Sequence, residues 1–68
     1  MLEILGGRVM NQWCIRCILY NKDGEFIKEI TVIHEYNGDK GTKALIDFRA
    51  MMWESQEVKV GLKMMSRV

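Results

Sequence analysis

The feature that most constrains the fold of this chain is an Asp-Gly pair between two stretches of strand-forming residues. Asp23-Gly24 follows the aromatic and apolar residues 13–20 and precedes residues 26–36, which include four β-branched side chains in a row. An Asp-Gly pair in this position favours a tight hairpin turn, because both residue types tolerate positive φ angles. The sequence therefore predicts an antiparallel β-hairpin.

The turn also assigns the hairpin side chains to two faces, since alternate residues of a strand point to opposite sides. One face is predicted to pair Tyr20 with Ile27, Ile18 with Glu29, Arg16 with Thr31 and Cys14 with Ile33. The other is predicted to pair Leu19 with Lys28, Cys17 with Ile30, Ile15 with Val32 and Trp13 with His34. Both faces thus carry apolar side chains, and a single helix can cover only one of them.

After residue 42 the apolar spacing changes to that of a helix. Residues 43–54 contain good helix formers and neither glycine nor proline, and Asp39 or Thr42 can serve as the N-cap. Ser55 and Gln56 are predicted to end the helix. Its apolar residues form two stripes, with Leu45, Phe48 and Met52 in one and Ile46, Ala50 and Trp53 in the other.

Residues 57–64 alternate in character, which predicts a half-buried strand. The apolar face of this strand is predicted to contain Val58, Val60, Leu62 and Met64. Residues 10–68 are therefore predicted to form one α+β domain: a β-hairpin, a helix and a strand that make a three-stranded antiparallel sheet with one helix against it. Residues 1–9 are predicted to be a natural extension, an alternative start or a remnant of cloning.

The small size of the domain predicts an interaction surface. A chain of 68 residues buries only about 60% of the surface of its unfolded form, yet 49% of these residues are hydrophobic. A helix that is apolar on two sides is either deeply buried or shared with a partner, and so thin a domain cannot bury it deeply. We expect a homodimer with Ile46, Ala50 and Trp53 at the interface, a target-binding surface, or both. The alternative is that Ile46 and Trp53 merely cover the sheet edges.

The residues that could support catalysis do not form a recognisable site. Cys14 and Cys17 have the Cys-x-x-Cys spacing of redox sites, but such sites need a helix N-terminus, and strand residues three apart face opposite sides of a sheet. With His34 they supply at most three of the four ligands of a structural zinc site. A Cys–His nucleophile would lack the third group that orients it. We therefore expect no enzymatic activity, no metal and no cofactor.

The charge balance does not favour a polyanionic partner. The formal net charge is +1, too close to neutral to indicate nucleic acid or an anionic membrane. Arg16, Lys59 and Lys63 can share a sheet face with Tyr20, which leaves single-stranded nucleic-acid binding as an alternative. No apolar stretch is long enough to cross a membrane, and two cysteines are too few for a disulfide scaffold, so a cytoplasmic location is expected.

Several residues of this chain resemble a known family, the small dimeric uracil-DNA glycosylase inhibitors of phi29-like Bacillus phages. The resemblance runs from residue 15 to about residue 62 and includes the element order, the Asp23-Gly24 hairpin and an acidic residue at Glu29. In the helix it includes the pair Asp47-Phe48, and Met52 stands where the family has a tyrosine. The final strand, residues 57–62, is also similar.

The resemblance implies a DNA-mimic inhibitor that acts in the host cytoplasm. Members of this family pair two protomers so that their helices form an apolar pocket for the side chain that the glycosylase inserts into the DNA minor groove. The residues expected to bind the partner are Glu29, Leu45, Asp47, Phe48, Met52 and Trp53. Leu45 and Trp53 are not part of the resemblance, but they could also receive the inserted side chain. Phe48 and Met52 would line the pocket, and Glu29 would mimic a DNA phosphate, with Asp47 or Glu54 in support. The alternative is a phage inhibitor of another host protein.

Overall fold

A computed structural model describes residues 10–68, which form three strands and one helix in the predicted order. The elements are β1 (Asn11–Tyr20), β2 (Phe26–Tyr36), α1 (Gly41–Gln56) and β3 (Lys59–Arg67). β1 lies at the centre of an antiparallel sheet with the order β2-β1-β3. The predicted fold class, a three-stranded antiparallel sheet with one helix, is therefore confirmed.

Two further sequence predictions concern residues 1–9 and the presence of a membrane-spanning helix. The interpretation of residues 1–9 as an extension or a remnant lies outside the described residues. Among residues 10–68, no helix combines the length and the apolar character needed to cross a membrane.

Helix α1 covers one face of the sheet, which we call the covered face; the opposite side is the open face. The core lies between the covered face and the helix. Its buried hydrophobic side chains are Trp13, Ile15, Cys17, Leu19, Ala44, Phe48, Met52 and Val58. The central strand thus supplies half of this core, because every second residue of β1 points toward the helix.

The pairing of β1 with β2 follows the predicted register over most of its length. Every predicted pair between residues 13–19 and residues 28–34 is present. Only the predicted pair of Tyr20 with Ile27 is wrong, since the register shifts after Leu19 and Tyr20 pairs with Phe26. The predicted assignment of side chains to the two faces therefore applies to residues 13–19 of β1.

Asn21 organises the loop between β1 and β2. Its side-chain Oδ1 accepts hydrogen bonds from the backbone N–H groups of Asp23 and Glu25, each at 2.9 Å. Gly24 has a φ of 84°, a left-handed conformation that glycine adopts without steric cost. The loop spans residues 21–25, so the turn is longer than the Asp-Gly pair alone.

A bulge in β3 changes the direction of the side chains in its second half. Leu62 and Met64 pair with neighbouring residues of β1, so Lys63 between them is the extra residue of the bulge. Met64 lies on the open face, opposite Arg16, and Met65 packs against the core instead. The prediction that Met64 lies on the covered face is therefore wrong, because a shift of one residue exchanges the faces of every later side chain.

The start of α1 is set by packing rather than by a side-chain cap. Lys40 is the N-cap and makes no side-chain hydrogen bond to the helix, so the predicted caps Asp39 and Thr42 are wrong. At Gly41, an added Cβ would lie 3.3 Å from the ring of Trp13, which shows how closely the helix begins against that ring. At the other end, the backbone N–H of Glu57 donates to the carbonyl of residue 53 at 2.8 Å.

Candidate protein-binding surfaces

The outer stripe of α1, formed by Ile46, Ala50 and Trp53, lies on the side of the helix that faces away from the sheet. At 3.6 residues per turn, these side chains are about 140–160° around the helix from the buried Phe48. Ile46 is 65% exposed and Trp53 is 44% exposed, and Ala50 is exposed as well. Side chains that merely covered a sheet edge would be largely buried, so these values favour an interaction surface.

A groove of about 300 Å³ runs beside the outer stripe, between α1 and β2. Its lining consists of Tyr36, Lys43, Ile46, Asp47 and Ala50. The groove therefore combines apolar walls with one basic and one acidic side chain, and it extends the exposed apolar surface of the helix toward the edge of the sheet.

The inner stripe of α1, formed by Leu45, Phe48 and Met52, faces the sheet. Phe48 is 2% exposed and Met52 is 6% exposed, while Leu45 is half-buried. The helix is thus apolar on two sides, and one side is buried in the domain's own core. In a single copy of the domain, Phe48 and Met52 offer a partner almost no surface.

His34 and Asp47 link β2 to α1 beside the groove. The Nε2 atom of His34 lies 2.9 Å from Oδ2 of Asp47, and the ring packs edge-on against Phe48 with the ring centroids 5.3 Å apart. The His34 side chain is only 8% exposed, whereas that of Asp47 is 50% exposed. A buried polar ring needs a hydrogen-bonding partner, so Asp47 holds the helix against the sheet while part of its carboxylate faces solvent.

Glu29 lies on the open face, where two cations contact its carboxylate. The Nε atom of Arg16 donates to Oε2 at 2.8 Å, and Nζ of Lys63 lies 3.4 Å from Oε1. The hydrogen bond from Arg16 lowers the pKa of Glu29 below its ordinary value of 4.5, and the charge of Lys63 acts in the same direction. Because two cations surround one carboxylate, the cluster carries a net positive charge, which is opposite to the charge of a phosphate.

The two cysteines lie on opposite faces of the sheet, as predicted. Cys14 is half-buried on the open face, where it helps to line a shallow groove of about 390 Å³. Cys17 is fully buried on the covered face, and this burial raises the pKa of its thiol. The sheet separates the two thiols, so they cannot act as a redox pair. Residues 10–68 contain no cluster of three or more histidine, cysteine or acidic side chains suited to a metal ion.

Some residues of these surfaces had a usable sequence signal and others had none. Tyr36 could have been placed beside the helix from strand alternation, because it lies two residues after His34 on β2. The contact of His34 with Asp47 joins two different elements, and no periodicity within either element indicates it. The bulge at Lys63 depends on how β3 pairs with β1, and the alternating pattern of residues 57–64 does not indicate it.

Comparison of the chain with protein-family models, with curated proteins and with solved structures yields no match. Among residues 10–68, exposed apolar side chains occur on both the open face and the outer stripe of α1. The centre of the open face is occupied by the charged cluster around Glu29, whereas the outer stripe continues into a groove with apolar walls and one side chain of each charge. The outer stripe and its groove are therefore the better candidate for binding a protein.

Proposed function

We propose that this protein inhibits a uracil-DNA glycosylase by covering its DNA-binding surface, and that it does so as a homodimer. Two copies would place their outer stripes and grooves side by side, and this joint surface would receive an apolar side chain of the enzyme. The proposal combines the resemblance of residues 15–62 to the phage inhibitors with the presence of the element order that the resemblance implies.

The observation that carries the proposal is the exposure of Ile46 and Trp53. An enzyme that flips a base out of DNA inserts an apolar side chain between the bases, and this protruding side chain can be captured by an apolar receptacle. Ile46 is 65% exposed and Trp53 is 44% exposed, so both are available without any rearrangement of the core. Tryptophan is also one of the residue types most enriched at the energetic centres of protein interfaces.

The burial of the inner stripe changes which residues would form the receptacle. The resemblance assigns this role to Phe48 and Met52, but both side chains pack against the sheet of their own chain. In the proposed complex the contact surface is formed by Ile46, Ala50 and Trp53. Phe48 and Met52 support this surface from below by holding the helix in place.

A carboxylate of the helix, rather than Glu29, is the better phosphate mimic. Glu29 is already paired with Arg16 and Lys63. Glu54 is exposed and lies only about 20° around the helix from Asp47, on the side of the groove. Because Asp47 already holds His34, Glu54 is the carboxylate that we assign to a basic side chain of the target.

The proposal is tested by uracil excision from single-stranded DNA by a bacterial uracil-DNA glycosylase, with this protein in molar excess. We expect the wild-type protein to suppress excision. The double variant Ile46→Ala/Trp53→Ala should lose most of this inhibition and still unfold cooperatively, because both side chains are exposed. Met64→Ala is a matched control, since Met64 is 56% exposed but lies on the open face, and it should inhibit as well as the wild type.

Each outcome separates the proposal from an alternative. Unchanged excision in the presence of the folded wild-type protein would exclude the glycosylase as the target. Loss of inhibition in Met64→Ala but not in the double variant would move the site to the open face. Salt-dependent binding of an oligonucleotide in the absence of enzyme would instead indicate a nucleic-acid-binding protein.

A further inference from the structure

The open face of the sheet has a charged centre with apolar side chains around it. Arg16, Glu29 and Lys63 form the centre. Ile33 and Met64 lie on the same face, and both side chains are more than half exposed. Protein interfaces usually have the opposite arrangement, with an apolar centre and a polar rim. A partner that covers the open face must therefore bring a charge of its own, because a cation that is desolvated without a partner is costly.

A groove of about 390 Å³ at this centre presents hydrogen-bond donors to a ligand. Its lining consists of Cys14, Arg16, Glu29, Thr31, Met64 and Ser66. Within residues 10–68, Arg16 donates a hydrogen bond to Glu29 through Nε alone, so its two terminal nitrogens can donate to a second acceptor. The hydroxyl groups of Thr31 and Ser66 approach the groove from the two edge strands, and both residues are exposed.

The charge of the centre is balanced by one monovalent anion. Arg16 and Lys63 carry two positive charges and Glu29 carries one negative charge, so the net charge of the centre is +1. A single carboxylate neutralises this charge. Guanidinium groups bind carboxylates through two parallel hydrogen bonds, and the terminal nitrogens of Arg16 form a fork of this geometry.

We propose that the open face binds an acidic peptide segment of a partner protein, with one aspartate or glutamate side chain of the peptide in the groove. The carboxylate of that side chain accepts two hydrogen bonds from Arg16 and further hydrogen bonds from the hydroxyl groups of Thr31 and Ser66. Apolar residues on either side of it in the peptide pack on Ile33 and Met64, which lie on the two edge strands.

A peptide suits this face better than a nucleic acid does. Glu29 lines the groove, and Glu35 lies further along the same face, where Gln12 donates a hydrogen bond to its carboxylate. A polynucleotide carries a negative charge at every nucleotide, so phosphates next to the bound one would meet these two carboxylates or the apolar side chains. A peptide can place a single carboxylate against an arginine and apolar side chains beside it.

The open face and the outer stripe of α1 are separated by the sheet and the body of the helix. The helix packs on the covered face, and its outer stripe faces away from the sheet. One molecule can therefore bind a partner on each surface at the same time. We assign the acidic segment to a second protein, so this inference does not depend on the glycosylase as the target.

The test measures binding of a fluorescent peptide to the full chain by fluorescence anisotropy. The probe peptide contains one glutamate flanked by leucines, and both of its ends are blocked so that they carry no charge. The control peptide has glutamine in place of the glutamate. We expect the glutamate peptide to bind on the order of tenfold more tightly, because only an ionised carboxylate forms the charge-assisted pair with the guanidinium.

Variants of the open face locate the site. Arg16→Met should weaken binding of the glutamate peptide on the order of tenfold and leave the glutamine peptide unaffected. Lys59→Met is the matched control, since Lys59 also lies on the open face but outside the groove, and it should have little effect. The double variant Thr31→Val/Ser66→Ala keeps every charge and should weaken binding by about threefold. Circular dichroism verifies that each variant is folded.

The outcomes distinguish this inference from the proposed function. The inference is overturned if the folded wild type does not bind the glutamate peptide, binds both peptides equally, or loses as much affinity in Lys59→Met as in Arg16→Met. Tighter binding of an oligonucleotide that is lost in Arg16→Met overturns the peptide as the occupant. Peptide binding should persist in Ile46→Ala/Trp53→Ala. Peptide binding without inhibition of the glycosylase supports this inference and excludes that target, whereas inhibition without peptide binding does the reverse.

Discussion

On β1, Ile15 and Cys17 of the covered face are completely buried, whereas Ile18 and Cys14 of the open face are only half-buried. The same two residue types thus occur on both faces of one strand, within five consecutive positions. Their different environments come from α1, which packs on one face and leaves the other open. The apolar character of a residue in this strand therefore does not show whether the residue is buried. Its burial depends on whether α1 packs on the face to which the side chain points.

The two stripes of α1 repeat this comparison on the helix. Phe48 of the inner stripe is 2% exposed, whereas Ile46 of the outer stripe is 65% exposed. Substitutions in the inner stripe should act on folding, and substitutions in the outer stripe should act on binding. The three predictions below concern residues of the covered face and the open face of the sheet. They run from the largest expected effect to the smallest.

Truncating the same side chain on the two faces of β1 should affect stability very differently. We expect Ile15→Ala to lower the free energy of unfolding by about 2–5 kcal/mol, because it leaves a cavity in the core. The core of so small a domain rarely contributes more than about 3–5 kcal/mol, so this variant should be largely unfolded. Ile18→Ala should cost about 1 kcal/mol, since Ile18 is only half-buried. Urea unfolding curves measure both values, and equal losses would show that the open face is packed as tightly as the covered face.

The two thiols should differ in their rate of alkylation. Cys14 is half-buried and should react with iodoacetamide in the native protein. Cys17 should react at least about a hundredfold more slowly, because it reaches the reagent only when the domain opens. Burial also raises the pKa of this thiol, so less of the reactive thiolate is present. Mass spectrometry of the labelled peptides measures the two rates, and unfolding in urea is the control in which they should converge.

The smallest effect concerns the ionisation of Glu29. Arg16 holds the pKa of this carboxyl below 4.5 in the folded protein, so the unfolded chain binds the proton more readily. The stabilising contribution is therefore present above pH 4.5 and is lost as the pH falls through the folded-state pKa. Because the cluster is exposed to solvent, salt should weaken this contribution.

An NMR titration of the Glu29 carboxyl carbon tests this assignment. Arg16→Met should move the pKa of Glu29 back toward 4.5. Lys28→Met is the control, because this substitution also removes one positive charge. Lys28 lies on the covered face and does not contact the Glu29 carboxylate. A wild-type Glu29 pKa of 4.5 or higher would contradict the role of Arg16.

The elements of the fold were predictable because their signals are local. The Asp-Gly pair, the helical spacing of residues 43–54 and the alternation of residues 57–64 each lie within one segment, and each predicts the element that the structure contains. The errors concern Tyr20, the N-cap of α1 and Met64. In each case the position of the residue depends on a partner in another segment: β2 for Tyr20, the ring of Trp13 for the helix start, and β1 for Met64.

The amino-acid sequence by itself determined the order of the elements, the β1–β2 hairpin and the presence of more apolar surface than one helix can cover. These properties follow from backbone preferences and from periodicity, which act over a few neighbouring residues. Only the tertiary structure decided which apolar residues are core and which are surface, and therefore that Phe48 is buried while Ile46 and Trp53 are exposed. It also decided that Glu29 is paired with two cations. The physical reason is that burial and charge pairing depend on distances between segments, which are set only when the helix packs on the sheet.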